Sequence, residues 1–152
     1  MARPYFGGTS IGVRDVTSSA TLGMADSGKT IILDGSGVED AALLVTLPAV
    51  SNKGCEYSFI LKAIGNEAAE DVDIVQASAS DDFVGFIVSA GDPVTIASAN
   101  ASDTRIRFDQ SAGAAAGDWC HVISDGSKWH IFGVCSSQDS SGNSVLKFVE
   151  VS

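Results

Sequence analysis

Short runs of β-forming residues, each closed by a turn signal, recur along most of this chain. They fall at residues 30–33, 43–47, 57–62, 72–75, 84–88, 94–96 and 105–108, on both sides of Asp125-Gly126, and at 145–149. Between them stand Asp26-Ser27-Gly28, Asp34-Gly35-Ser36-Gly37, Pro48, Asn52-Lys53-Gly54, Gly65-Asn66, Gly91-Asp92-Pro93 and Ser141-Gly142-Asn143. Runs of this length with frequent turns predict an all-β fold, either a β-sandwich (jelly-roll-like) or a small barrel. Arg105-Ile106-Arg107-Phe108 alternates, so Ile106 and Phe108 are expected inside and both arginines outside. Residues 67–71 can make one helical turn but are too few to stand as a helix. Residues 1–20 read differently: Pro4 disfavours helix at Arg3, Gly7-Gly8 interrupts regular structure, and 9–19 is rich in Thr, Ser and Val. The expectation is a single β domain over 21–152 behind an extended N-terminal arm over 1–20.

The stretch from Gly117 to Gly133 predicts a hairpin, because Asp-Gly adopts positive φ at little cost. With Asp125-Gly126 as the loop, Val122 is expected opposite Trp129 and His121 opposite His130. Period two then places Cys120, Val122, Trp129 and Ile131 on the core side. Trp119, His121, Ile123, Lys128, His130 and Phe132 fall on the other side, a mixed aromatic and polar surface suited to contact with protein. Trp119, His121, His130 and Phe132 are the expected oligomer-interface residues. Two histidines facing each other also raise the question of a metal, but no further ligand stands at metal spacing, and the expectation is none.

Composition adjusts this picture in three ways. The 152 residues suffice for one domain with a sizeable core, which typically removes roughly 70% of the unfolded surface from water. Only 18% of residues are charged, so part of the surface is expected to be covered by neighbours. The net charge is −10, which argues against nucleic acid as a partner, since phosphate binding needs a cationic footprint. That charge is uneven: residues 1–14 hold Arg3 and Arg14 and no acid. Cys55, Cys120 and Cys135 are odd in number, lack zinc-site spacing and read as reduced thiols. No apolar run of membrane-spanning length and no signal-peptide core is present, so neither a membrane nor export by the common route is expected.

The chain shows no P-loop, no nucleophile elbow and no His-Glu-x-x-His helix. Asp81-Asp82 and Glu39-Asp40 are adjacent carboxylates of the kind calcium uses, but such pairs more often sit solvated in loops. No enzyme activity, catalytic residue or cofactor is expected.

One order of motifs stands out. Leu22 to Asp34, containing Asp26-Ser27-Gly28-Lys29-Thr30, precedes Val45-Thr46-Leu47-Pro48-Ala49. Gly54 and Ser58-Phe59-Ile60-Leu61-Lys62 follow, then Gly117-Asp118 and the Val122 to Trp129 hairpin. This order, over roughly residues 20–150, resembles the small head decoration (cement) proteins of tailed bacteriophages. The chain departs from that pattern at His121 and His130, where an acid and a tyrosine are usual, and Trp119 and Cys120 are also individual.

The resemblance implies a structural protein on the outer surface of the virion head, made in the host bacterial cytoplasm. It implies binding to the major capsid protein and self-association as a homotrimer. Packaged DNA pushes outward, and a clamp across subunit boundaries adds buried area that expansion would have to break. Within that picture Arg3, Pro4, Tyr5, Phe6 and Arg14 form the capsid-binding arm, with the aromatics as anchors and the arginines on acidic shell residues. The alternative is a phage tail or fibre module that binds a host receptor. A carbohydrate-active enzyme fragment stands further off, since it requires two carboxylates facing a cleft.

Overall fold

A computed structural model describes residues 12–67, 69–90, 95–100, 102–136 and 145–150. The chain is all-β and forms two mixed sheets of seven and five strands, stacked as a sandwich. The strands are β1 (Val13–Val16), β2 (Ala20–Thr21), β3 (Thr30–Asp34), β4 (Leu43–Thr46), β5 (Glu56–Ala63) and β6 (Val72–Val75). Then follow β7 (Phe83–Ser89), β8 (Thr95–Ser98), β9 (Arg105–Phe108), β10 (Trp119–Ser124), β11 (Trp129–Cys135) and β12 (Leu146–Val149). The large sheet runs β1-β3-β5-β10-β11-β7-β8 and the small one β12-β9-β6-β4-β2.

From β1 to β7 the chain alternates between the sheets, so β1, β3 and β5 pair in parallel in one layer and β2, β4 and β6 in the other. Parallel neighbours need a long crossover. Here each crossover carries a strand of the opposite layer. The mixture of parallel and antiparallel pairs distinguishes this sandwich from an antiparallel jelly roll.

The core lies between the layers and follows period two. Ile31, Leu33, Tyr57, Phe59, Leu61, Cys120, Val122, Trp129, Ile131 and Cys135 point inward from the large sheet. Leu43, Val45, Val72, Ile74, Ile106, Phe108 and Leu146 meet them from the small one. Each fully buried large aliphatic or aromatic side chain stabilises the fold by about 1.5–3 kcal/mol. The three cysteines are buried, and burial pushes the Cys120 thiol far above its ordinary range.

The Asp26-Ser27-Gly28-Lys29 stretch has a structural reason. A short 3-10 turn at Met24–Asp26 leads into β3, and Gly28 takes φ of 79°. The Asp26 carboxylate accepts from the Gly23 N–H (3.2 Å), Lys29 Nζ (2.9 Å) and Arg14 Nη1 (2.5 Å). Burial works against ionisation of Asp26, but these partners outweigh it and hold its carboxyl below the usual range.

One expectation changes here. The segment 1–20 is not all arm, because Val13–Val16 pairs with β3 and Ala20–Thr21 with β4. Neither strand is long or alternating enough to stand out in a Thr- and Ser-rich sequence. As expected, no helix stands at 67–71 among the described residues, and the Glu70 N–H donates to the Glu67 carbonyl (2.9 Å). The Glu70 carboxylate folds back to accept from the Asn66 N–H (2.7 Å) and the Glu67 N–H (3.0 Å).

Candidate functional site

The hairpin places the residues that sequence reading singled out, with one change of register. Ser124 pairs with Trp129, Ile123 with His130, Val122 with Ile131 and His121 with Phe132. The loop is therefore centred on Gly126-Ser127, with Gly126 at φ of 96° in the first central position. Asp125 dictates the shift: its Oδ1 accepts from the Ser127 N–H (2.7 Å), the Lys128 N–H (2.8 Å) and Ser127 Oγ (2.9 Å). Its Oδ2 lies 2.7 Å from His130 Nε2. The His130 contact and then the N–H groups of Ser127 and Lys128 hold the Asp125 carboxyl far below the usual range.

The slip in pairing is two residues, so every side chain keeps its face. The core side comes out as expected, and Trp119, His121, Ile123, His130 and Phe132 stand on the outward face. His121 and His130, however, do not face each other. His121 Nδ1 contacts Ser58 Oγ at 3.1 Å and its Nε2 lies 3.7 Å from Glu56 Oε2, whereas His130 turns to Asp125. No group of three or more His, Cys, Asp or Glu suited to a metal occurs among the described residues. Of the carboxylate pairs, Asp81 is buried with the Val50 N–H on its Oδ2 (3.4 Å), and Asp82 pairs with Lys128 (3.0 Å).

Ser58, His121 and Glu56 put a hydroxyl, an imidazole and a carboxylate in line across β5 and β10. Nucleophilic chemistry also needs N–H donors aimed at the developing oxyanion. The Ser58 N–H is committed to the Lys29 carbonyl (3.3 Å), and the three side chains are half-buried and line a shallow depression with Gly28, Lys29 and Tyr57. The arrangement orients His121, and the Ser58 N–H is not available as such a donor.

Extending the registers outward gives the larger feature. Ile60 pairs with Trp119, Trp119 with Val134, Val134 with Val88 and Val88 with Ile96. An unbroken apolar row thus crosses five strands, and Ile32 continues it onto β3. The next row is Ser58, His121, Phe132, Phe86 and Ser98, and the third is Glu56, Ile123, His130 and Val84. Phe86 and Phe132 meet edge to face at 5.2 Å, and Trp119 meets Phe132 at 5.6 Å. These are exposed positions: Phe132 is 41% accessible, Phe86 42% and Ile96 66%.

Ile60, Val84, Phe86, Val88, Ile96 and Val134 were not singled out from sequence. The signal was present in 83–88, which is apolar on both alternating sets of positions. A two-layer body covers only one of those sets.

The outward face of the small sheet is the opposite in kind. Asp73, with no exposed side-chain surface, takes Arg105 Nη1 at 2.5 Å and Arg107 Nε and Nη2 at 2.8 Å each. Arg107 also reaches Asp71 (2.9 Å), and Lys147 pairs with Asp109. Both arginines point outward and both apolar partners inward, as the alternation of 105–108 predicts.

Of the expected arm residues, Arg3, Pro4, Tyr5 and Phe6 lie outside the described residues. Arg14 is engaged by Asp26 within the body and is not a free arm cation. Comparison with protein-family models, with curated proteins and with solved structures finds no match.

Proposed function

We propose that this chain is a structural protein of a tailed-phage head, binding the outside of the shell and strengthening contacts between major capsid subunits. One observation carries the reading furthest: an acidic body whose largest flat surface is uncharged and aromatic in its centre. Such a surface suits permanent contact with protein. The motif order that resembles head decoration proteins adds to it, because its parts build this body. Asp26 to Lys29 form the turn before β3, Val45 and Thr46 end β4 ahead of Pro48, and 122–129 form the hairpin. Attachment to the shell is assigned to the segment ahead of β1, where Tyr5 and Phe6 are apolar anchors and Arg3 is a cation for acidic shell residues. Many copies, each weakly bound, would then act together.

The test is copy number. Densitometry of purified particles should find this chain in numbers comparable to the shell subunits. A handful of copies per particle would overturn the reading in favour of a tail or fibre module. Deleting residues 2–11 should leave a folded body that no longer decorates shells, and undiminished binding would remove the arm from the account.

A further inference from the structure

We propose that the outward face of the large sheet is a self-contact, stacked two-fold on the same face of a second copy of this chain. The proposal deepens the structural reading above by naming the partner of that face, puts a two-fold pair in place of the homotrimer that the resemblance implies, and leaves shell attachment to the N-terminal segment.

Three observations select a second copy. The first is charge. The chain carries −10, so most of its surface repels another copy, but from β5 to β8 the rows through Trp119 and Phe132 contain no acid and no ionisable base except His121; Asp15 stands at the β1 end of the first row. Charges at the rim are already matched within the chain: Lys62 with Asp34 (2.9 Å), Arg14 and Lys29 with Asp26, and Lys128 with Asp82. A partner therefore needs no complementary charge. It needs an uncharged, flat, aromatic surface, and this same face is one.

The second is area. Six strands at the widest, at about 4.8 Å spacing, and three rows of side chains cover roughly 25 Å by 20 Å. The relief of the side chains raises that plan area toward the roughly 800 Å² per partner of a standard interface. This is about a tenth of the chain's 7816 Å² of accessible surface, the usual share for a protein of this size.

The third is shape. Sheets stack face to face about 10 Å apart when their facing side chains are apolar, as the interior of this sandwich already does. A two-fold axis brings identical surfaces together, so one patch suffices. The Trp119, Phe132 and Phe86 cluster then lies in the interior of the contact, where aromatic anchors contribute most. The serines, His121, His130 and Glu56 border it.

Sedimentation equilibrium of the full chain, from about 1 µM to about 100 µM, tests this across the affinities a standard-size interface can have. Wild type should reach twice the monomer mass. Phe132→Glu and Phe86→Glu should stay monomeric with unchanged far-ultraviolet circular dichroism, and Leu44→Glu, on the small sheet, should remain dimeric. Tryptophan emission of the unmodified protein gives a second measure. Trp129 is buried throughout, so a red shift on dilution reports uncovering of Trp119. A monomer at 100 µM, a trimer, dimers that survive both glutamates, or emission independent of concentration would overturn the proposal. None of these outcomes bears on copy number in particles.

Discussion

Gly85 shows how narrowly single positions are set. It lies in β7 at φ of 140°, and a Cβ there would stand 1.9 Å from the Ile131 carbonyl oxygen on the neighbouring strand. Backbone atoms on β11 cannot move without breaking the β10–β11 ladder. Gly85→Ala should therefore destabilise the protein by about 2–4 kcal/mol in urea denaturation. A loss under about 0.5 kcal/mol, the range of a neutral surface change, would show that the two strands separate easily. The sequence hides this: a glycine inside an apolar run reads only as a weak strand position. Asp125 is a similar case. Its identity as a turn residue was legible, but the pairing it enforces depends on which N–H groups its carboxylate captures, and that is settled in three dimensions.

Strands are more legible than their partners. The runs at 30–33, 43–47, 57–62, 72–75, 84–88 and 105–108 each became a strand within a residue or two, because alternation is a local property. Parallel pairing of strand n with strand n+2 has no local signature, and neither does a four-residue strand such as β1. Element by element, the outer face of the small sheet depends most on one residue. Asp73 on β6 neutralises Arg105 and Arg107 from the adjacent β9, with Nη1, Nε and Nη2 all on its two oxygens. Asp73→Asn removes the charge and keeps the shape, leaving partly buried Arg105 without its carboxylate and Arg107 with Asp71 alone. Partial exposure of the arginines moderates the penalty, and a loss of about 2–4 kcal/mol is expected at neutral pH. Equilibrium urea curves check it, and an unchanged midpoint would mean that water already satisfies both guanidinium groups.

At the scale of the whole molecule, the acids govern how stability responds to pH. The Ser36 hydroxyl and then Lys62 hold Asp34 down to about 2. Asp26, Glu70, Asp109 and Asp125 are also lowered in the fold, whereas burial raises Asp71 in opposition. A carboxyl with a lowered folded value binds fewer protons in the native than in the unfolded state. Its contribution is full above the unfolded value near 4 and is lost as pH falls through the folded value. The urea midpoint should accordingly drop most steeply between about pH 4 and pH 2, and Asp34→Asn should reduce that slope. A midpoint flat through this window would contradict the assigned contacts. The candidate face was half legible in the same sense: Trp119, His121, His130 and Phe132 came from one hairpin, but the rest of each row comes from β5, β7 and β8, which only the fold brings alongside.

Because the first seven strands go by turns to opposite layers and β9 and β12 return to the small sheet, no contiguous stretch of the polypeptide contains either sheet alone. A chain emerging from the ribosome can assemble one rim of the sandwich from its first six strands, but β5 gains its second neighbour only when β10 arrives. The greasy half-built layers must wait for the last third of translation to close. The body should accordingly form and melt in a single step, and a truncated translation product would have no smaller fold to fall back on.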